Sequence, residues 1–305
     1  MHVSSRWQRS RWCGAFGVLM LAVATPGAAQ PNRISSEQLT HYTPLNPYPR
    51  FDDGRPKVPD AILETMREMQ LEVEEAYGVL REKGYANQYE ANWQVLLPET
   101  RLVGRAFTVQ FMPSRPDVNE VAQKDAEAAG LGRLRNQTTI DMLQNGDVAV
   151  VDLYGRVEGG TFVGDKLAYY IQKTTGTGLV VDGGLFYLRR IAATGMPAYY
   201  RGAHPGPLSN AMVSGINVPV RIGGVTVMPG DIVLGDRDGV LFIPPHLAEE
   251  VIASAQRQRR RDAWVKGKFD TGKYRSGEIY GRPTDPELLK EFEAFVEGKP
   301  KAPPE

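Results

Sequence analysis

Hydrophobic residues recur along the chain with two different periods, and each change of period marks a new structural element. Between residues 59 and 84 they recur at helical spacing, with Pro59 at the start and Gly84 at the end. The members of this apolar stripe are Ile62, Met66, Met69, Val73, Ala76 and Leu80. The pattern predicts one long helix over 59–84, followed by a strand at LVGRAFTVQF, residues 102–111.

Short apolar runs and helical patterns alternate in the middle of the chain. VAVVDLY at 148–154 predicts a strand, GDKLAYYIQKTTG at 164–176 a helix, and GLVVDGG at 178–184 a second strand. A strand, a helix and a strand within about 35 residues form a βαβ unit, whose two strands run parallel. PAYYRG at 197–202 predicts a further strand. The fold class is therefore α/β.

The segments on either side complete this architecture. Residues 122–146 carry a helical pattern that is interrupted at Gly130 and Gly132. Residues 218–244 read as short strands separated by Gly-Gly, Pro-Gly-Asp and Asp-Gly turns, which is the pattern of an antiparallel β meander. A long terminal helix is predicted over 246–267.

Two polar segments flank the predicted domain, which spans residues 59–268. Residues 30–58 are rich in Pro, Asn and Tyr and are predicted to form an extended N-terminal arm. Residues 269–305 form a polar, Pro-rich C-terminal tail with one short helix at 286–297. We expect both segments to wrap neighbouring subunits. An unchanged assembly size after deletion of both would contradict this expectation.

The first 29 residues have the pattern of a secretory signal peptide. Three arginines between residues 6 and 11 precede an apolar stretch at 13–25, and small residues precede Gln30. This arrangement predicts cleavage after Ala29, and the apolar stretch is shorter than an ordinary membrane span. The alternative is an uncleaved membrane anchor.

Charge and cysteine content refine this prediction. The whole chain has 36 basic and 36 acidic residues and one cysteine, Cys13. Cleavage would remove three arginines, leaving 33 basic and 36 acidic residues (36 − 3 and 36), a net charge near −3, and no cysteine. Such a chain suits export to the bacterial periplasm without disulfide bonds and without a membrane partner after cleavage. The basic run at 257–261 is interpreted as a solvated helix face, so no nucleic-acid partner is expected.

Candidate chemistry lies where the predicted parallel strands end, because ligands bind beyond their carboxyl ends. The Gly-rich segment 152–163 leads to the helix that begins after Gly164. Free N–H groups at a helix N-terminus favour an anion, so the amides of Asp165, Lys166 and Leu167 are candidates to bind a carboxylate or phosphate. The alternative is that Asp165 only caps its helix.

The next strand end offers fewer candidates. Asp182 is as typical of a turn as of a ligand, and His204 is interpreted as a loop histidine rather than a metal ligand. No zinc-type spacing, G-x-S-x-G motif or P-loop is present. Any metal ion would be a hard cation bound by carboxylates and water.

Several segments occur together in an order that resembles one known family. The segments are GRAFTVQF, GDVAVVD, GDKLA, GLVVDGG, PAYYRG, GGVTVMPGDIVLGDRDGVLFIP and AEEVIASA. They resemble the RraA-like family, which includes 4-hydroxy-4-methyl-2-oxoglutarate aldolase, over residues 60–268. The resemblance implies a compact, layered β/β/α domain that assembles as a homotrimer or homohexamer with sites between subunits.

The resemblance also implies a chemistry. Family aldolases cleave 4-hydroxy-2-oxo acids to pyruvate and a second carbonyl compound and decarboxylate oxaloacetate, with a divalent ion such as Mg²⁺ or Mn²⁺. Their substrate carboxylate rests on the amides of a Gly-Asp/Glu-x-Leu turn, which matches Gly164–Leu167 here. The implied partner is a small carboxylate or carbonyl substrate.

The sequence departs from the family at the metal-anchoring Arg-Asp pair, whose positions are Phe186 and Tyr187. The resemblance therefore does not identify the metal ligands, because a neutral tyrosine such as Tyr187 is a poor ligand for Mg²⁺. Arg189 and Arg190 follow within a predicted helix and are expected to reach the site only if the turn is remodelled.

Three hypotheses follow from this departure. The first is a carbon–carbon lyase of the aldolase or decarboxylase type in which Arg156, Glu158 and Asp165 replace the lost catalytic groups. The second is a less polar pocket in which Phe186 or Tyr187 stacks on a sugar or an aromatic acid. The third is a periplasmic oligomeric pseudoenzyme that binds a ligand without catalysis.

Overall fold

The structure is a computed structural model that describes residues 33–298. The predicted signal peptide, its cleavage site and the outer ends of the arm and tail lie outside these residues. The strands are β1 (Tyr89–Glu90), β2 (Gln94–Val95), β3 (Leu102–Pro113), β4 (Asp147–Thr161), β5 (Leu179–Leu185), β6 (Ala198–Ala203), β7 (Ala211–Ile216), β8 (Val220–Ile222), β9 (Val225–Val227), β10 (Ile232–Gly235) and β11 (Val240–Ile243).

Helices connect and cover these strands. They are α1 (Ser36–Tyr42), α2 (Asp60–Glu68), α3 (Val73–Glu82), α4 (Pro116–Ala128), α5 (Asn136–Ile140), α6 (Asp165–Thr175), α7 (Leu188–Ala192), α8 (Ala248–Asp270), α9 (Ser276–Ile279) and α10 (Pro286–Val296), with a 3-10 turn at Pro245–Leu247. No helix in the described part of the chain is both long and apolar enough to cross a membrane.

A nine-stranded mixed sheet organises the described residues. Eight of its strands have the order β1-β11-β10-β3-β4-β5-β6-β2, and the ninth, β7, lies off this path and pairs with β3. Strands β3, β4, β5 and β6 are parallel, and β7 and β10 pair with the two ends of β3 in the antiparallel direction. The predicted βαβ unit is confirmed as β4-α6-β5, with Ala149 opposite Leu179. The predicted meander is confirmed in its antiparallel β8-β9 and β10-β11 pairs, although β8 and β9 form a separate small sheet.

The two faces of the sheet bury different layers. Val151 and Val181 point into a core formed with α4, α5, α6 and α7. Val150 and Val180 point to the opposite face, which is covered by the β8-β9 hairpin. Helices α2, α3 and α8 cover strands β10 and β11. The layered β/β/α architecture with flanking N- and C-terminal helices is thus confirmed.

The single helix predicted over 59–84 is wrong, because the chain forms two helices there. Gln70 adopts a left-handed conformation with φ of 50°, which stops α2. The carboxylate of Glu75 then accepts a hydrogen bond from the Glu72 N–H, and this capping box starts α3. Both helices keep their apolar residues in the same core, so the stripe was read correctly and only the break was missed.

Some elements were not predicted. Strand β7 has the sequence AMVSGI, whose Ser and Gly weaken the strand pattern, and its pairing with β3 supplies the missing stability. The arm is not extended throughout, because α1 begins at a capping box between Ser35 and Gln38. Strands β1 and β2 have only two residues each, which is too short for any periodicity to show.

The arm and tail both pack on their own chain in the described region. Arg55 of the arm pairs with Asp147 at the start of β4, with 2.9 Å between Nη1 and Oδ1. Helix α10 packs on α8, where Phe292 contacts Trp264 edge-on. The expectation that they also wrap neighbouring subunits stays a prediction.

Candidate functional site

The carboxyl ends of β4 and β5 leave regular pairing, and this irregularity shapes the site. Asp152 lies opposite Asp182, but the next paired residues of β4 are Arg156 and Thr161, opposite adjacent glycines of β5. Most of residues 153–160 therefore bulges out between the two strands. Such bulges redirect side chains at the end of a sheet. The chain then turns at Gly164 into α6.

The N-terminus of α6 has no side-chain cap. Gly164 occupies the N-cap position, and its carbonyl accepts the first helical hydrogen bond, from the Ala168 N–H over 3.0 Å. Gly164, and not Asp165, occupies the N-cap position, and no side-chain cap hydrogen bond forms there within residues 33–298. The amides of Asp165, Lys166 and Leu167 stand where an anion would bind, and anion binding there stays a prediction.

Phe186 and Tyr187 lie directly against this turn. A methyl group built on Gly164 would be 2.8 Å from Cζ of Phe186 and 3.3 Å from Cδ2 of Tyr187. The two rings are 4.8 Å apart at an angle of 35°, and Tyr187 is 52% exposed. Glycine at 164 is therefore required for the close approach of the aromatic pair.

Arg190 reaches the turn, a contact that was expected only if the turn is remodelled relative to the family pattern. Tyr187 adopts a left-handed conformation with φ of 59°, and α7 begins at the next residue. This geometry places Nη1 of Arg190 3.5 Å from Oδ2 of Asp165. The guanidinium also lies 4.9 Å from the centre of the Tyr187 ring. The left-handed residue before the helix supplies the change of direction that the sequence did not reveal.

Arg156 and Glu158 line a pocket that does not include Gly164. Nη1 of Arg156 donates to the carbonyls of Ser209 and Asn210 over 3.0 and 3.4 Å. Its Nε donates to the Glu158 carbonyl over 2.7 Å. These contacts tie the β4 bulge to the 204–210 loop rather than to Asp165.

The pocket lined by Arg156 and Glu158 is a polar cavity of about 550 Å³. Glu158 and His204 both line it, and Nδ1 of His204 accepts from the Gly206 N–H over 3.1 Å. His204 is therefore held in its loop, as interpreted from the sequence. A catalytic role for Arg156 and Glu158 stays a prediction.

Asp182 belongs to a charged cluster on the opposite face of the sheet from α6. Nε of Arg201 donates to Asp182 over 2.6 Å, and Nη2 donates to Glu90 over 2.8 Å. The Arg201 guanidinium lies 3.8 Å from the centre of the Trp93 ring. Asp182 is therefore part of a structural ion pair with Arg201.

Asp152 is the neighbour of Asp182 on β4. Burial raises the pKa of Asp152, the hydrogen bond from the Tyr154 N–H opposes that rise, and the Asp182 carboxylate adds to it. Residues two apart in a strand share a face, so Asp152 lies on the Val150 side, under the β8-β9 hairpin. These carboxylates are therefore separated from Gly164 by the sheet.

A divalent metal ion does not fit the residues of the α6 turn. The turn offers one carboxylate, Asp165, which faces Arg190, and a tyrosine stands at the implied metal-anchoring position. The carboxylates that could share a cation within residues 33–298 are Glu74, Asp236 and Asp238, near the start of α3. Asp236 is already engaged there, because its two oxygens accept from the N–H groups of Val73 and Asp238.

Sequence reasoning missed one functional candidate, Arg190, and one structural ion-pair residue, Arg201. Arg190 was expected to reach the turn only after remodelling, because helical spacing alone does not show how a helix is oriented. Arg201 was overlooked because its partners, Asp182 and Glu90, lie 19 and 111 residues away in sequence. The closely spaced charges at 189–190 were the one available signal for Arg190.

Comparison with known proteins places this site in a family context. The Aldolase/RraA family, RraA-like, matches residues 58–242. A Halalkalibacterium halodurans protein named "Putative 4-hydroxy-4-methyl-2-oxoglutarate aldolase" is 36% identical over 121 residues, which cover 38% of this chain and 55% of that protein. Protein DlpA of Legionella pneumophila is 27% identical over 56% of this chain and 26% of its own length. The matches thus span about half and a quarter of these two relatives.

A solved structure from the RraA protein family has a similar fold. The crystal structure of Streptomyces coelicolor RraAS2, described as an unusual member of the RNase ES inhibitor RraA protein family, aligns with a TM-score of 0.59 and 27% identity. The alignment covers 70% of this chain and all of that chain. The family match spans more than half of the present sequence and includes β3 to β11 almost completely. This chain therefore belongs to the RraA-like family.

Proposed function

We propose that this protein is a carbon–carbon lyase of the aldolase or decarboxylase type that acts on a 2-oxo acid at the N-terminus of α6. The observation that carries the proposal is the uncapped turn at Gly164–Leu167, in a family whose named relatives include aldolases. The candidate substrates are 4-hydroxy-2-oxo acids and oxaloacetate-like compounds.

The α6 turn offers the two features that this chemistry requires from the protein. The amides of Asp165, Lys166 and Leu167, at the positive end of the helix dipole, would bind the substrate carboxylate. The guanidinium of Arg190 would lie beside the 2-oxo group, where negative charge develops as the carbon–carbon bond breaks. Asp165 acts as a positioning residue, because its carboxylate holds Arg190 near the turn.

Proton exchange at C3 of a 2-oxo acid tests the enolate chemistry directly. We would incubate the protein from Gln30 onward in D₂O with pyruvate or 2-oxo-4-phenylbutanoate and follow the C3 proton signals by NMR. Parallel samples would contain Mg²⁺, Mn²⁺ or EDTA. We expect exchange faster than in protein-free buffer, and at least about tenfold slower in Arg190→Gln, which corresponds to about 1.4 kcal/mol.

The control is Arg189→Gln, which removes the same charge one residue earlier. Arg189 is exposed and forms no ion pair within the described residues, so its rate should match that of the unmodified protein. Absence of exchange with both substrates in all three conditions would reject the lyase and favour a ligand-binding pseudoenzyme.

A further inference from the structure

We infer that the site selects a 2-oxo acid with an aromatic substituent, held by the Phe186–Tyr187 pair and by Arg190. This inference rests on the proposed function, since it names the substrate class of the same site. It is carried by the aromatic pair and by Arg190, the exposed ion-pair partner of Asp165. Together these residues differ from the Arg-Asp pair implied by the family resemblance.

The aromatic pair forms a solvent-accessible stacking surface at the turn. Phe186 is half-buried against Gly164, whereas 52% of Tyr187 remains exposed. Their separation of 4.8 Å and angle of 35° lie within the range of an offset aromatic pair, so Phe186 fixes the orientation of Tyr187. The methyl group of pyruvate is too small to cover such a ring, whereas an aromatic substituent would bury much of its exposed area.

Arg190 is placed to change partners when an anion arrives. Its ion pair with Asp165 is long, at 3.5 Å, and its side chain is 66% exposed. Exposed ion pairs of this kind contribute about 0–1 kcal/mol, so a bidentate contact with a carboxylate can replace it. The Tyr187 ring, 4.9 Å from the guanidinium, keeps Arg190 over the site during that exchange.

Backbone geometry supports the same assignment. Tyr187 has φ of 59°, a conformation that is unfavourable for a bulky residue and that must be maintained by its surroundings. It directs the Tyr187 ring onto Phe186 and starts α7 so that Arg190 faces Asp165. One strained residue therefore places both the stacking ring and the cation.

Equilibrium binding of an inert aromatic 2-oxo acid tests this inference apart from catalysis. Benzoylformate is suitable because it has no hydrogen on the carbon next to its ketone and cannot form an enolate. We would titrate benzoylformate and pyruvate into the intact protein by isothermal calorimetry. We expect benzoylformate to bind at least about tenfold more tightly than pyruvate.

Matched variants assign the binding to these residues. Arg190→Gln should weaken benzoylformate binding at least about tenfold, while Arg189→Gln should leave it unchanged. Tyr187→Leu should abolish the preference over pyruvate. Tyr170→Leu should not, because Tyr170 is 44% exposed on α6 and contacts no other ring in the described region.

The outcomes separate the two proposals. Equal affinity for the two acids, or equal loss in the two arginine variants, would overturn the aromatic assignment even if proton exchange is observed. Selective benzoylformate binding that depends on Arg190, without exchange of either enolisable acid, would support the assigned ligand class and reject the lyase. Circular dichroism of each variant would show that any lost binding is not due to unfolding.

Discussion

At the scale of single residues, Asp231 is a buried carboxyl group in the turn between β9 and β10. Burial raises the pKa of Asp231 to about 7, and the hydrogen bond that its carboxylate accepts from the Met228 N–H limits the rise. The unfolded chain would have an Asp pKa near about 3.9. Between these values the folded protein holds a proton that the unfolded protein releases, so stability falls as pH rises from about 4 to about 7.

Asp231→Asn should remove this pH dependence. We expect the free energy of unfolding of the variant, relative to the unmodified protein, to increase with pH up to about 7 and then level off. The slope should be at most about 1.4 kcal/mol per pH unit. Urea unfolding between pH 5 and 8 measures it. Asp125→Asn, at an exposed position on α4, is the control, and the same slope in both variants would contradict the assignment.

The same scale explains why the site could be only partly predicted. The Gly164 turn was found because an uncapped glycine before a helical pattern is a local signal. The contact between Arg190 and Asp165 was not, since the two residues belong to different helices that are joined through β5. The spacing of residues along the chain contains no information about how α6 and α7 are oriented relative to each other.

At the scale of elements, two glycines of α3 and its C-terminal turn separate two effects on stability. One effect is the backbone conformation of the glycine, and the other is the space available for a side chain. A methyl group added at Gly78, inside the helix, or at Gly84, just after it, would meet no atom within 4 Å. Gly84 has φ of 87°, whereas Gly78 is helical. Both glycines thus have room for a methyl group, but Gly78 has a helical backbone that suits alanine and Gly84 has a left-handed backbone that does not.

Alanine substitutions at these two positions should have opposite effects. Gly78→Ala should raise the free energy of unfolding by about 0.5–1 kcal/mol, because glycine loses more chain entropy in a helix. Gly84→Ala should lower it by about 1–2 kcal/mol, because alanine disfavours a left-handed conformation. Urea denaturation of both variants provides the comparison. A change of the same sign in both would show that the space around the side chain, and not the backbone, decides the outcome.

Element bounds were predictable where the periodicity was long and unambiguous. The strands at 102–111 and 178–184 appear as β3 and β5, and the helix at 164–176 appears as α6. The break at Gln70 escaped prediction because the apolar stripe continues across it. The left-handed conformation of Gln70 and the capping box between Glu72 and Glu75 produce the break.

At the scale of the whole molecule, a buried ion pair joins the arm to the sheet. The side chains of Arg55 and Asp147 are both fully buried, and Arg55 also pairs with Asp53 over 2.8 Å. The Arg55 guanidinium lies between the rings of Phe51 and Phe107, at 4.6 and 5.0 Å. Burial raises the pKa of Asp147, and the charge of Arg55 opposes that rise. The arm is therefore part of the folded domain.

Arg55→Met should destabilise the protein by about 3–5 kcal/mol, because it leaves Asp147 buried without its ion-pair partner. Urea unfolding measures the loss. The exposed pair Arg115–Asp117 is the control, and Arg115→Met should change stability by less than about 1 kcal/mol. Combining Arg55→Met with Asp147→Asn should recover part of the loss. A small effect of Arg55→Met would show that the arm does not depend on this pair.

The sequence by itself determined the α/β class, the βαβ unit, the antiparallel meander and the family. These features rest on local periodicity, on turn residues and on the order of motifs, all of which can be read without knowing any long-range contact. The same reading located the anion-binding candidate at Gly164 and the aromatic departure at Phe186 and Tyr187.

Only the tertiary structure decided which charges meet at that turn. The bulge in β4 directs Arg156 toward the Ser209 and Asn210 carbonyls, while the left-handed Tyr187 directs Arg190 toward Asp165. Both directions depend on backbone conformations that are stabilised by residues distant in sequence. A side chain's neighbours across a sheet follow from packing of the whole domain, and so the charge arrangement of the site could not be read from spacing alone.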